Sequence, residues 1–269
     1  MINEVVDSAP VFLLVAARSA GLIFTLPLFS MRSVSRAAKI ALVGYISYLL
    51  MAFADFSSYS SFIREDGAFS LCYALLVLGE GLIGVIIGFY VSIIFAAFST
   101  AAQFFAFQMG FSAASTYDQL SQVENPLLGQ FFNFASFLLF LQIKWFQKLF
   151  LQGLTYTVQN LTVMGIIENR EKLVSFLLAG LSKLFADAFV IALPLMGTLV
   201  LITICTGLLS KAAPQMNLLS EGFPVMILLS FGILVVIFPH LFDFFYRSFN
   251  SGISELIMLL SNLGKGGLS

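Results

Sequence analysis

The sequence predicts an all-α integral membrane protein built from long, tilted and broken helices. Of its 269 residues, 59% are hydrophobic and only 10% are charged, whereas soluble domains carry about 25% charged and about 45–50% apolar residues. Because this small number of charged residues cannot cover a water-exposed surface, the lipid bilayer must be part of the solvent. In addition, six apolar stretches reach or approach the about 20 residues that a helix needs to cross a bilayer.

The candidate spans are the apolar stretches 9–30, 37–54, 68–97, 127–143, 184–209 and 222–246. The third is long enough to tilt or to contain a kink, and Glu80 is the only charged residue between Gly67 and Tyr117. Segment 99–122 differs, because it is rich in Gln, Ser, Thr and Gly. It is too polar to face lipid and too apolar for an ordinary loop, which predicts that it lines a cavity or is buried in protein.

Composition also argues against several classes of function. The net charge of −1 gives no basic face for nucleic acid. Cys72 and Cys205 form no CxxC pair, and His240 is the single histidine, so we expect no metal site and no Ser or Cys nucleophile with a His base. Because a Gly-rich phosphate loop is also missing from the sequence, we expect no catalytic residues and no cofactor. This residue inventory favours a protein with a transport or structural role.

The positive charges do not fit a simple topology of six spans. Arg32, Arg36 and Lys39 place the first connection in the cytoplasm, and the net acidic connection 55–66 favours the outside. Strict alternation would then place four more cations outside, which violates the positive-inside rule. These cations are Lys144, Lys148, Arg170 and Lys172. Either one stretch is not a true span, or the topology is not conventional.

Four ionisable residues fall within apolar runs, where each costs about 2.5–3.5 kcal/mol on insertion scales. Lys183 and Asp187 are four residues apart, so on a helix they can neutralise each other. Arg18 and Glu80 have no local partner, and we expect them to pair with each other or with another subunit. A proton relay is the alternative role for this pair.

A GxxxG motif lies in the third apolar run. Gly84 and Gly88 are four residues apart, and small residues at this spacing let two helix backbones approach closely in lipid. The motif predicts a tight helix–helix interface. The alternative is that these are ordinary packing glycines.

Three stretches resemble the FliR family of flagellar export-gate proteins and its virulence-secretion counterparts. The most specific is Gly-Leu-Leu-Ser-Lys-Ala-Ala-Pro-Gln-Met-Asn at 207–217 with Gly-Phe-Pro at 222–224. It is similar to the family pattern GLLxRxxPQxN, with Lys211 where relatives usually have Arg. The second stretch is Glu-Gly-Leu-Ile-Gly at 80–84 with Gly88, which continues into Ala102, Gln103 and 108–111, with Asp118 beyond. The third stretch comprises Arg18, Gly21, Pro27 and Phe29, followed by Arg36, Lys39 and Ile40.

The chain departs from the family pattern at two places. Asp118 is followed by Gln119, where the family often has Asp-Pro, and residues 143–145 are Ile-Lys-Trp, where relatives often have a Gly-His pair. Order, spacing and total length agree otherwise.

The resemblance implies a FliP-like part at 1–170 that includes a pore plug near 104–122, followed by a FliQ-like helical hairpin and tail at 171–269. It also implies a hetero-oligomer with FliP-like and FliQ-like subunits, together with FlhB-like and FlhA-like export proteins and membrane lipid. Such a complex lies in the bacterial inner membrane at the flagellar basal body and passes unfolded exported proteins. A virulence secretion system is the alternative setting, although the Pro-Gln-Met-Asn segment and the chain length favour the flagellar one.

Two sets of residues carry the expected roles. The resemblance assigns plugging and gating to Phe107, Gln108, Met109, Gly110, Phe111 and Asp118. Pro214 lacks an N–H and disfavours helix at the residue before it, which predicts the turn of the hairpin. The expected turn and subunit contacts are Lys211, Pro214, Gln215 and Asn217.

The competing function is a small-solute secondary transporter, whose inverted repeats are not evident in this sequence.

Overall fold

The computed structural model describes residues 2–30, 34–54, 59, 70–109, 127–212 and 223–265. Ten α-helices are described, with the following bounds: α1 Ile2–Thr25, α2 Pro27–Ser30, α3 Arg36–Met51, α4 Leu71–Gln108, α5 Leu127–Gln142, α6 Trp145–Gln147, α7 Leu154–Asn160, α8 Val163–Glu168, α9 Arg170–Ala212 and α10 Phe223–Lys265. A π-helical turn, Lys148–Gly153, joins α6 to α7. No strand occurs in these ranges, so the prediction of an all-α membrane fold is confirmed.

Three described helices are long and apolar enough to cross a membrane: α4 and α9 at full length, and Pro224–Asn262 within α10. A fourth crossing exists only if α5 and the segment Trp145–Asn160, which are bent by 71° at their junction, count as one broken span. Of the six candidate stretches, only three or four are therefore long enough as helices to be spans within the described residues, which agrees with the alternative that not every stretch is a true span. The helix in the second stretch, α3, has 16 residues, which at 1.5 Å each falls short of the about 30 Å hydrocarbon core.

Local capping residues set several helix boundaries. Ser35 precedes α3, and its side chain accepts a hydrogen bond from the Ala38 amide at 3.2 Å. Thr162 precedes α8 and accepts from the Gly165 amide in the same way. Both satisfy amides that the first turn of a helix leaves without partners. Lys144 separates α5 from α6 with a φ of 60°, a left-handed conformation that is unfavourable for a non-glycine residue.

The chain divides into two compact units, each assembled from separate stretches. Unit 1 comprises Met1–Ile93, Phe140–Gly180 and Gly252–Ser269, and unit 2 comprises Ile94–Leu139 and Leu181–Ser251. These units follow from contacts within this chain, whereas the predicted division at residue 170 concerns likeness to two other subunits. That division stays a prediction.

In unit 1, α1 and α4 approach each other backbone to backbone. A Cβ added to Gly84 would collide with the carbonyl oxygen of Arg18 and lie 2.9 Å from the Leu22 nitrogen. A Cβ added to Gly21 would collide with the Gly81 carbonyl oxygen, and one on Gly88 would collide with the Thr25 hydroxyl. Only glycine permits so close an approach, which is how small residues act between helices in lipid.

The packing of Tyr90 forms a second close contact of unit 1. The Tyr90 ring stacks on Phe176 with centroids 4.6 Å apart, and a Cβ on Gly180 would lie 2.9 Å from the same ring. The Tyr90 hydroxyl donates to the Glu255 carboxylate at 3.3 Å. The glycine in α9 therefore makes room for an aromatic side chain from α4.

The core of unit 2 is largely aromatic. Phe95 lies 4.9 Å from both Phe137 and Phe249, measured between ring centroids, and Phe249 is fully buried. Edge-to-face and offset pairs of this kind contribute about 0.5–1.5 kcal/mol each beyond their burial. Many of the 31 phenylalanines of the chain thus have a packing role that needs no polar partner.

We expect Gly84→Ala to destabilise the protein by about 1–3 kcal/mol, because its methyl group would collide with backbone atoms that cannot rotate away. The measurement is thermal unfolding of the purified protein in detergent. Gly207→Ala is the matched control, since nothing lies within 4 Å of that position and alanine is the better helix former. Equal melting temperatures for the two variants would contradict the close α1–α4 approach.

Candidate functional site

Arg18 and Glu80 form a buried ion pair in unit 1. Arg18 comes from α1 and Glu80 from α4, and both side chains are 0% exposed. The Arg18 Nε donates to Glu80 Oε2 at 2.6 Å, and Nη2 lies 2.5 Å from the same oxygen. Removing one partner of a buried ion pair destabilises a protein far more than replacing both partners by apolar residues, because the remaining charge is left buried and uncompensated.

The rest of the Arg18 guanidinium binds the backbone where one helix ends. Nη1 donates to the carbonyl oxygen of Thr157, and Nη2 donates to that of Leu161 at 2.8 Å. Thr157 belongs to the last turn of α7, and Leu161 follows that helix in an extended conformation. The Thr157 carbonyl also accepts from the Leu161 amide at 2.9 Å, whereas the carbonyls after it lack partners within the helix. Arg18 therefore caps the C-terminal end of α7 through its bond to the Leu161 carbonyl.

Tyr59 completes the same network from a third part of the chain. Its hydroxyl donates to Glu80 Oε1 at 3.0 Å and accepts from the Val163 amide at 2.7 Å. Val163 opens α8, so Tyr59 satisfies an amide at the start of the helix that follows the break. Burial, assisted by the neighbouring Glu80 carboxylate, raises the pKa of Tyr59 well above its usual range. The hydroxyl therefore keeps its proton and remains a donor.

This network of hydrogen bonds holds together the end of α7 and the start of α8, on the two sides of a break in the helix. The guanidinium serves three acceptors, and the carboxylate receives donors on both oxygens. A proton relay needs a group that is free to take up and release protons, and this arrangement favours holding the break at Leu161 and Thr162 instead. The two residues that we expected to pair with each other or with another subunit thus lie together within one chain.

Lys183 and Asp187 lie in α9 and contact serines of α10. The Lys183 ammonium donates to the Ser251 hydroxyl at 2.8 Å. The Asp187 carboxylate accepts from the Ser248 hydroxyl, also at 2.8 Å. These contacts, all within unit 2, connect the two helices of the expected hairpin, and the sequence pattern did not indicate the serines.

The described part of the expected plug is the end of α4. The helix continues through Gln108, and Met109 still donates to the Phe105 carbonyl at 2.9 Å. Phe107 is exposed, whereas Met109 is fully buried. Gly110, Phe111 and Asp118 lie outside the described residues.

The described part of the expected hairpin turn is limited to Lys211. This residue is exposed in the last turn of α9, where a cation interacts favourably with the helix dipole. Pro214, Gln215 and Asn217 fall outside the described ranges.

Several residues of the network could not be found from the sequence. Tyr59 bonds to positions 21 and 104 residues away, and no local pattern marks such a partner. The carbonyls of Thr157 and Leu161 are backbone groups, which no side-chain motif can indicate.

Within the described residues, no group of three or more His, Cys, Asp or Glu is placed to hold a metal ion.

Comparison with known proteins identifies the family. Residues 9–252 match the family described as "Bacterial export proteins, family 1". The chain belongs to this family. It is 29% identical to the flagellar biosynthetic protein FliR of Bacillus subtilis (strain 168), over 97% of this chain and 99% of that one. The expected membership of the FliR family is thereby confirmed.

Two further relatives show the range of the family. The chain is 29% identical to the flagellar biosynthetic protein FliR of Escherichia coli (strain K12), over 90% of this chain and 92% of that one. It is 26% identical to the surface presentation of antigens protein SpaR of Shigella sonnei, over 78% and 80% of the two chains. The chain is thus similar both to flagellar biosynthetic proteins and to a surface presentation of antigens protein.

We expect Arg18→Gln to lower the free energy of unfolding by about 3–5 kcal/mol, because Glu80 would stay buried without its cation. Thermal unfolding or limited proteolysis of the detergent-solubilised protein measures this loss. Lys183→Gln is the matched control, since Lys183 is only partly buried and its loss should cost far less. A double variant, Arg18→Met with Glu80→Met, should lose less than the sum of its single variants. Strict additivity would rule out the coupling.

Proposed function

We propose that this chain is a non-catalytic subunit of the flagellar type III export gate in the bacterial inner membrane. The observation that carries the proposal is family membership over nearly the whole chain, together with full-length similarity to proteins named flagellar biosynthetic protein FliR. The flagellar setting is favoured over virulence secretion because the FliR proteins of Bacillus subtilis and Escherichia coli are each 29% identical over at least 90% of the chain, whereas SpaR is 26% identical over 78%.

The exposed apolar surface supports an assembly of several subunits. The most apolar window of α4 is 61% buried by the chain itself, but those of α9 and α10 are only 28% and 17% buried. Large side chains such as Leu208 and Val236 stand exposed. A surface of this kind needs lipid or other subunits as cover. FliP-like and FliQ-like subunits are the proposed partners, with FlhB-like and FlhA-like export proteins around them.

The proposed plug is the segment near 104–122. Residues 104–109 lie at the described end of α4, and residues 110–122 lie outside the described ranges. The segment offers Ser112, Ser115 and Thr116 for hydrogen bonds in a wet channel and Phe111 to fill space. A channel left open would dissipate the ion gradients of the membrane, so a block at rest has a physical purpose.

We expect the chain to be markedly more stable when it is made together with its partner subunits. Alone, the exposed faces of α9 and α10 would lack specific cover, and polar groups of the 99–122 segment would meet hydrocarbon at a cost of several kcal/mol. Expression with and without FliP-like and FliQ-like subunits, followed by yield and thermal stability in detergent, tests this expectation. Equal yield and stability in both cases would count against an export-gate subunit.

We expect deletion of residues 112–118 to make the assembled complex leak. The deletion would remove the volume that blocks the channel, so permeability to small solutes should rise and growth should slow. Dye or ion flux from cells carrying the complex measures the leak. Gly207→Ala serves as control, because it lies outside the segment, has nothing within 4 Å of its added methyl group and should leave permeability unchanged. A deleted complex that assembles normally and does not leak would refute the plug.

A further inference from the structure

The sequence between α5 and α7 favours one continuous helix, but the structure breaks it. Residues 140–152 contain neither proline nor glycine, and the Lys, Leu and Gln residues among them are good helix formers. Nevertheless α5 ends at Gln142, and the helical segments on the two sides of Lys144 are bent by 71°. Sharp bends in helices almost always lie at proline, at small residues or at a π-turn. The residue at this bend is therefore one that the local sequence does not mark as a helix breaker.

Three unfavourable local features fall within residues 144–153, which we call the joint. Lys144, with a φ of 60°, is the one non-glycine residue in the left-handed region among the described residues, and its side chain makes no capping hydrogen bond. The indole N–H of Trp145 is buried without a hydrogen-bond partner in the described part of the chain. From Lys148 to Gly153, a π-helical turn replaces the more stable α-helical one. Each feature costs free energy in the conformation that the structure shows.

An aromatic contact from α2 holds the joint in this conformation. The Phe29 ring lies 6.1 Å from the Phe146 ring and 6.4 Å from the Phe150 ring, measured between centroids. The rings of Phe146 and Phe150 are 4.5 Å apart, and Phe150 is buried. All three residues belong to unit 1. Local backbone preference and tertiary packing therefore act in opposite directions at the joint.

We propose that the joint is a two-state hinge. In the bent form, which the structure shows, Lys144 is left-handed and Phe29 packs on Phe146 and Phe150. In the straight form, Lys144 is right-handed, the π-turn closes as α-helix, and α5 continues into α7 as one helix. Conflicts between local preference and tertiary packing are expected at functional sites. Any partner that packs better against one form shifts the balance towards it. The inference goes beyond the proposed role in export and does not depend on it.

Trp145 is the only tryptophan of the chain, so it can report on the joint. The full chain is labelled with 5-fluorotryptophan, and its fluorine NMR spectrum is recorded in the complex with its partner subunits. The tryptophans of those subunits are first replaced by phenylalanine. We expect two signals, one for each form, or one signal that moves between two positions as the populations of the forms change.

Two substitutions should shift the balance in opposite directions. Lys144→Gly should favour the bent form by about tenfold, because glycine adopts the left-handed conformation without strain and weakens a continuous helix. Phe29→Ala should favour the straight form by about fivefold, because two aromatic contacts of the bent form are lost. Either variant tests the hinge if the other fails to assemble.

Each substitution has a matched control. Lys144→Ala removes the same charge, but alanine is strained in the left-handed region as lysine is, so the ratio of the two forms should change by less than about twofold. Phe189→Ala removes a ring that stacks on Phe104 in unit 2. It controls for a general loss of aromatic packing and should leave the ratio unchanged.

A distance measurement identifies the straight form as a continuous helix. Spin labels are placed at Gln130 and Gln159, which are both exposed, after the exposed Cys72 and Cys205 are changed to serine. In one continuous helix these two positions lie about 44 Å apart, and the bend brings them closer together. The share of this long distance should rise in Phe29→Ala and fall in Lys144→Gly.

Three outcomes would overturn the hinge. A single fluorine signal at one position in all variants would show that the joint has one conformation. Equal responses to Lys144→Gly and Lys144→Ala would assign the change to the lost charge instead of the backbone. A distance near 44 Å that is missing from every variant would rule out the continuous helix. Any of these results with normal assembly and export would leave the proposed export function standing. If the chain binds no partner subunits, that function fails instead, and the same spectra of the chain alone in detergent test the hinge.

Discussion

The guanidinium of Arg18 is the group on which unit 1 depends. It connects α1, α4 and the end of α7, while Tyr59 adds the start of α8 through the shared carboxylate of Glu80. A helix that breaks in apolar surroundings leaves carbonyls and amides without water, at a cost of several kcal/mol for each. The break after α7 is possible because side chains from distant parts of the chain replace the missing hydrogen bonds.

The close glycine contact and the ion pair act together. Gly84 lies against the backbone of Arg18 itself, so the approach of α1 to α4 places the guanidinium beside a carboxylate one turn earlier in α4. A wider separation would leave the Arg18 donors short of Glu80 and of the α7 carbonyls. The planar fork of arginine suits this position, because it offers five donors in fixed directions, whereas lysine offers three from a single point.

Features that depend on many residues or on near neighbours could be predicted from the sequence, and features that depend on distant contacts could not. The all-α membrane class follows from composition summed over the chain, and the family follows from local motifs such as 207–217. The six candidate stretches could not be reduced to three or four spans from the sequence, because hydropathy does not show that α3 is short or that the chain bends at Lys144. Tyr59 was missed because its partners are remote in sequence. In the same way, the burial of Met109 depends on neighbours that no local pattern shows.

The unequal cover of the long helices supports the proposal that this chain works in an assembly. From Val200 to Leu209, α9 is exposed on nearly every side, so little of its own chain fixes its position there. Lipid can cover such a surface, but it favours no particular orientation, since lipid tails are as apolar as the side chains they meet. The polar contacts of Lys183 and Asp187 orient α9 against α10, but they lie nearer the N-terminus of α9. Packing against the proposed partner subunits would give the rest of α9 a defined position.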